Sequence, residues 1–157
     1  MDAHDRQKLS VVGAGRDYLD ELHGLGVSRI DFKVCEGRED GILILENTFH
    51  RKGGPPRHSH RHQDEWFYAL EGAFVLEVGS DRFELGPGDS LLAPRGMPHA
   101  WAFVGEDTGR MLISFRPAGR MEAFFRIVTQ SNAMPGQDKD LWADHGMDLI
   151  GPPLEIT

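Results

Sequence analysis

The side chains of this sequence with the clearest capacity for chemistry are histidines and one glutamate. The stretch from Gly53 to Gly72 reads GGPPRHSHRHQDEWFYALEG and sets His58, His60 and His62 at alternate positions with Glu65 close behind. A second stretch, GDSLLAPRGMPH, runs from Gly88 and ends on His99. Side chains two apart on an extended strand point to the same face, so His58 and His60 converge and the carboxylate adds a charged donor. Imidazole nitrogens with a carboxylate oxygen suit Zn, Fe, Mn, Ni, Cu or Co better than Ca or Mg. Histidines packed in a core or solvated on a surface, without metal, are the alternative. A bound imidazole must be neutral, so metal occupancy is expected to fall below about pH 6.

Positioning such a site is a task for strands. From Leu9 to Arg116 short apolar runs alternate with Gly, Pro, Asp and Asn: LSVVGAG, VSRIDFKV, GILILENTF and then Glu65–Leu70, Ala73–Val78, Arg82–Leu85, Ser90–Ala93, His99–Val104 and Arg110–Phe115. Runs at intervals of roughly eight to twelve residues signal a sandwich or barrel. Asp17–Leu22 fits a helical turn or a broken strand equally well. After Phe115 the period changes. Met121, Phe124, Phe125 and Val128 stand at i, i+3, i+4 and i+7, which predicts an amphipathic helix over 119–132. A second short helix is expected between Asp138 and His145, with Leu141 and Trp142 inside and Gly146 as its stop. Both helices are expected outside the β body. His99, Trp101 and Phe103 alternate on one face, as barrel core or as pocket wall.

Length and composition bound the rest. At 157 residues the chain is read as one domain, with a barrel core over about 9–116 and a helical extension over about 119–146. A net charge of −8 argues against nucleic acid as a partner. No run approaches the ~20 apolar residues of a membrane span, the N-terminus lacks a signal-peptide run, and Cys35 is alone. A cytoplasmic protein is the expectation, with Cys35 as a small buried hydrophobe. Arg57, Arg61 and Arg95 flank the histidine stretches and read as solvated. Gln63 and Asp64 fall in the connecting turn. His50 reads as a turn residue, and His4, His23 and His145 as incidental.

The two stretches resemble the paired motifs of the cupin superfamily, G-x5-H-x-H-x3,4-E-x6-G and G-x5-P-x-G-x2-H-x3-N. His58-x-His60, Glu65 and Gly72 satisfy the first from its first histidine onward, and Gly88, Pro94, Gly96 and His99 satisfy the second. Two positions depart: the opening Gly falls at Lys52, with Gly53 and Gly54 beside it, and the closing Asn is Phe103. The resemblance implies an all-β, double-stranded β-helix (jelly-roll) barrel with one or two C-terminal helices. It implies a metal site of His58, His60, Glu65 and His99, with His99 on a strand across from the histidine pair. His62 is then a rim residue behind the ligands, and Phe67, Phe74, Trp101 and Phe103 line the pocket. Such an ion with open positions is similar to that of cupin dioxygenases, in which Glu65 can leave the metal and act as a general base on a small organic substrate. A non-catalytic small-molecule-binding cupin, and an oxygen-independent isomerase or lyase, are the alternatives. A homodimer is expected, formed by adding Leu9–Val12 to a partner's sheet edge.

Overall fold

A computed structural model describes residues 9–156. The alternating runs form β1 (His23–Gly24), β2 (Ser28–Cys35), β3 (Leu43–Phe49), β4 (Arg57–His60), β5 (Asp64–Glu71), β6 (Phe74–Val78), β7 (Asp81–Leu85), β8 (Ser90–Ala93), β9 (His99–Phe103) and β10 (Gly109–Arg116). Period-two burial explains their faces. Along β10, Met111, Ile113 and Phe115 are buried while their neighbours are not; along β5, Glu65, Phe67 and Ala69 turn inward. All pairings are antiparallel. One sheet has the order β1-β2-β3-β10-β5-β8. The other adds a strand that the apolar pattern did not announce, β11 (Met147–Gly151), in the order β11-β4-β9-β6-β7. The sheets face each other over an aromatic core of Phe32, Phe49, Phe67, Phe74, Phe103 and Phe115. This is the jelly-roll barrel expected from the spacing of the runs.

Both departures from the motif have a packing reason. A Cβ on Gly54 would lie 1.8 Å from the Trp101 carbonyl oxygen, so the glycine lets the chain pass against β9 on its way into β4. Phe103, in place of Asn, is fully buried against Phe49 and Phe74. Its ring fills the space that Cβ atoms on Gly105 and Gly109 would occupy.

The predicted helices are present and shorter. α1 (Met121–Val128) buries Met121, Phe124 and Val128, then tightens into a 3-10 turn over Thr129–Ser131. The Thr129 hydroxyl donates to the Phe125 carbonyl, and Asn132, in the left-handed region at φ 48°, accepts the Gly26 N–H. The helix thus ends with the last residue of the apolar period, Val128, short of the expected Asn132, and these two bonds fix the turn that follows it. α2 (Lys139–Asp144) is capped by Asp138, whose carboxylate accepts the N–H groups of Asp140 and Leu141. Neither helix merely decorates the outside. Phe124 and Trp142 are fully buried and close the space between the sheets.

Other expectations are corrected. Leu9–Gly15 forms no strand, and Leu9 and Val11 are fully exposed. Asp17–Leu22 is neither helix nor strand; Asp17 is buried and accepts the N–H groups of Phe32 and Leu19. Cys35 is buried as expected, and its thiol is pushed up to about 12, first by burial and then by Glu122. His4 lies outside the described residues. No helix among those described is long and apolar enough to cross a membrane.

Candidate metal centre

Three strands from two sheets bring His58, His60, Glu65 and His99 together. β4 presents His58 and His60, and β9 pairs with it so that His99 lies in register with His58. His99 is thus the next-door neighbour of the histidine pair, not a ligand from across the barrel. The residue that crosses is Glu65, on β5 of the other sheet. The four donor atoms lie within 4.8 Å of one another, and all four residues are buried. The Glu65 carboxylate sits 3.4 Å from Nε2 of His60 and 3.4 Å from Nε2 of His99.

Hydrogen bonds fix which nitrogen of each ring faces inward. His58 Nδ1 lies 2.7 Å from the Pro56 carbonyl oxygen, an acceptor only, so Nδ1 carries the proton. His99 Nδ1 makes the same kind of contact to the Met97 carbonyl at 3.3 Å. His60 Nδ1 meets Gln63 Oε1 at 2.9 Å. The Gln63 amide nitrogen donates to the carbonyls of Pro117 and Ala118, which settles its orientation and makes His60 Nδ1 a donor too. The Nε2 lone pairs of His60 and His99 therefore face Glu65, and Nε2 is the nitrogen that His58 has left for an ion. Nε2 of His60, Nε2 of His99 and Oε2 of Glu65 are buried with no hydrogen-bond partner. Buried polar atoms without partners are costly, and a cation answers all three. The donor set fits one divalent transition ion, with each imidazole oriented by a second contact.

Aromatic rings back the imidazoles. Trp142 packs on His58 at 4.9 Å between centroids, Phe115 on His60 at 5.5 Å and Phe67 on His99 at 6.0 Å. Burial, then the neighbouring His99 and His60, push the His58 imidazole well below its ordinary range, which keeps it neutral. Burial alone would raise the Glu65 carboxyl, but positive charge on the adjoining His99 and His60 rings, which metal-free protein carries there in place of an ion, outweighs burial and holds the acid well below the usual carboxylate range.

These directions give a pH expectation for metal-free protein. The unfolded chain takes up a proton on His58 below about pH 6.5 while the folded site resists it, so acidification favours unfolding. Glu65 adds to the loss once pH falls below about 4.3, where the unfolded carboxyl protonates and the folded one stays ionised. The melting temperature of metal-stripped protein should fall steadily from pH 6.5 downward. A melting temperature level to pH 5 contradicts this. Proton competition at His58 is also weaker than free imidazole suggests, so the fall in occupancy expected near pH 6 does not begin at this residue.

The space beside the donors is a cavity of about 40 Å³ reached by His58 and Glu65. Its walls are apolar except for Asn47, whose amide nitrogen donates to the Arg29 carbonyl at 2.9 Å. Trp101 lines it as expected, whereas Phe67, Phe74 and Phe103 are packed core beside it. Met121, Phe124, Phe125, Met134 and Trp142, from the C-terminal segment, supply much of the remaining wall. His62 is exposed in the turn after β4, and Gln63 makes the contact to a ligand expected of it. Nothing in the residue pattern separates Gln63 from its neighbours; its burial follows from the connection 117–119 packing above it. Arg57, Arg61 and Arg95 pair with Glu77, Asp148 and Asp64 and take no part in the site. His50 is exposed, while His23 and His145, expected to be incidental, are buried.

Known proteins are similar to this chain to different extents. Residues 46–115 match the Cupin_2 family model, a cupin domain. Polyketide synthase CurC of Streptomyces cyaneus is 25% identical over 77 residues, 49% of this chain, and the match spans 50% of that relative's length. Among solved structures, KdgF from Halomonas sp. has a TM-score of 0.59 at 20% identity, over 70% of this chain and 94% of that one. The polyketide cyclase RemF from Streptomyces resistomycificus has a TM-score of 0.50 at 25% identity, over 60% of this chain and 72% of its own. The family match runs from within β3 to β10 and takes in every strand that carries one of the four donors, so residues 46–115 form a cupin-type domain that holds the whole candidate site.

Proposed function

We propose that the protein is a metal-dependent enzyme for a small, largely apolar organic molecule that presents an oxygen to the ion. The observation that carries this reading is the cluster of three imidazoles, each with Nδ1 held by an acceptor, around a buried carboxylate and beside a cavity whose walls are otherwise apolar apart from Asn47. An ion held there supplies Lewis acidity toward a substrate carbonyl or enol oxygen. The protein's own part is to keep His58 neutral, to keep Glu65 ionised, to fix the ring orientations and to exclude water. Glu65 held ionised suits a permanent ligand better than a base that leaves the metal. The two relatives at 25% identity are named for polyketide assembly and cyclisation. Their names support a polyketone or phenolic skeleton as substrate class, and oxygen-independent ring closure or loss of water as the reaction ahead of dioxygenation.

The experiment is turnover of polyketone and phenolic compounds by protein reconstituted with Mn²⁺, Co²⁺, Zn²⁺ or Fe²⁺, under air and under nitrogen. Product formed equally in both supports the reading. Stoichiometric oxygen uptake supports a dioxygenase in its place, and tight binding without product supports a binding protein. Reconstituted protein that neither binds nor converts such compounds overturns the substrate class.

A further inference from the structure

The cavity beside the donors is narrow, and residues of the C-terminal segment supply much of its wall. Access of an organic substrate to the donors therefore depends on how that wall is seated. The sheet residues are locked in register by ladder hydrogen bonds, whereas the C-terminal segment from Pro117 to Gly151 holds only short elements: α1, the 3-10 turn, α2 and β11. Helices this short owe their stability to packing. This segment is the part of the wall able to move, and it is fastened to the metal centre at three points. β11 pairs with β4 so that Met147 lies opposite His60 and Leu149 opposite His58. Trp142 packs on the His58 ring. The third point is Gln63.

Gln63 is almost fully buried, at 4% exposure, and joins both sides. Its Oε1 accepts from His60 Nδ1, and its amide nitrogen donates to the carbonyls of Pro117 and Ala118. Those two residues lead directly into α1, whose Met121, Phe124 and Phe125 line the cavity. The joint is close-fitting. Gly119 has φ +56°, and a Cβ there would lie 2.5 Å from the Gln63 amide nitrogen. Metal binding at His60 Nε2 strengthens the Nδ1–H donor on the same ring, since the ion draws electron density from the imidazole. A firmer bond to Oε1 holds the carboxamide in the one orientation that also grips the two carbonyls.

We propose that Gln63 is a positioning residue that couples occupancy of the metal site to seating of the C-terminal cover over the cavity. The proposal rests on the metal reading of the site. A loaded centre draws α1 down at its first turn, and release of the Gln63 grip is the step that lets the wall open for substrate.

The test is amide hydrogen exchange over 117–131, with and without saturating Co²⁺, alongside Co²⁺ affinity by titration. In the wild type, Co²⁺ should slow exchange in this segment at least about tenfold, as expected for closure of a locally opening unit. Gln63→Met removes both contacts at similar length. It should weaken Co²⁺ binding by about 10–100-fold, and at saturating Co²⁺ the segment should still exchange at its metal-free rate. Gln63→Glu keeps the acceptor for His60 but loses the donor, so affinity should match or exceed wild type while the metal effect on exchange disappears. Gly119→Ala reaches the joint from the cover side and should uncouple exchange with affinity little changed. Metal-dependent protection that persists in Gln63→Met and Gln63→Glu overturns the proposal, as does wild type that binds Co²⁺ with no change in exchange. Wild type that takes up no metal overturns the metal reading beneath it.

Discussion

Replacing His58, His99 or Glu65 by alanine is expected to weaken metal binding by roughly 100–1,000-fold each, while His62→Ala leaves it unchanged within about twofold. The magnitude follows from sharing the binding free energy of a structural four-ligand site, about 10–16 kcal/mol, among its donors, which gives about 2.5–4 kcal/mol for one ligand. Among the described residues, the side chains packed on the imidazoles are Trp142, Phe115 and Phe67, none of which ligates, and Gln63 is held at the far side of the His60 ring by Nδ1 and by two carbonyls. His62 is exposed and turned away from the donors, so its loss touches only the connecting turn. Calorimetric titration with Zn²⁺ or Co²⁺ measures all four variants. Loss of binding in His62→Ala with retention in His58→Ala would make His60 and His62 the ligating pair in place of His58 and His60. Retention in Glu65→Ala shows that the carboxylate is a neighbour of the ion and not a ligand.

Much of this site was legible in the residues because two strong signals coincide. Alternation fixes the face of His58 and His60, and the resemblance to the cupin motifs, carried by Glu65, Gly88, Pro94 and His99, implies which strands carry the rest. Strand neighbours were not legible. Spacing along the chain does not say which of two sheets receives β9, and His99 proved to pair beside His58 while Glu65 crosses the barrel. The closure of the cavity was hidden for a related reason. The period of Met121, Phe124 and Phe125 shows that α1 has an apolar face but not what that face covers. Met147–Gly151 alternates too weakly to read as a strand, and it exists because β4 offers an edge beside the metal ligands. Gln63 was read as a turn residue because glutamine carries no periodic signal; only the folded connection 117–119 gives its amide two carbonyls to hold. The N-terminal run Leu9–Val12 forms no strand within this chain, and Leu9 and Val11 stay exposed.

Trp142→Ala should be the most destabilising single change in the C-terminal cover. Trp142 is 1% exposed, packs on Phe124 and on His58 at 4.9 Å each, and donates its indole N–H to the Gly136 carbonyl at 2.9 Å. Truncating a buried tryptophan typically costs about 3–5 kcal/mol, through lost transfer free energy and the void left behind. In a domain of this size that lowers the melting temperature by roughly 6–20 °C. α2 has six residues and cannot persist alone, so losing its one fully buried anchor should loosen α2 and β11 together. Ile127→Ala, on the exposed side of α1 at 41% exposure, should stay within about 0.5 kcal/mol of wild type. Metal should repay part of the loss if the site still forms: an ion at 100 times its dissociation constant adds about 2.7 kcal/mol. Because Trp142 backs the His58 ring, however, its removal frees that imidazole, and metal should stabilise Trp142→Ala less than it stabilises wild type. Thermal melts of both proteins with and without Zn²⁺ measure the difference. Equal stabilisation by metal in the two proteins means that Trp142 supports the cover alone and contributes nothing to the metal centre beneath it.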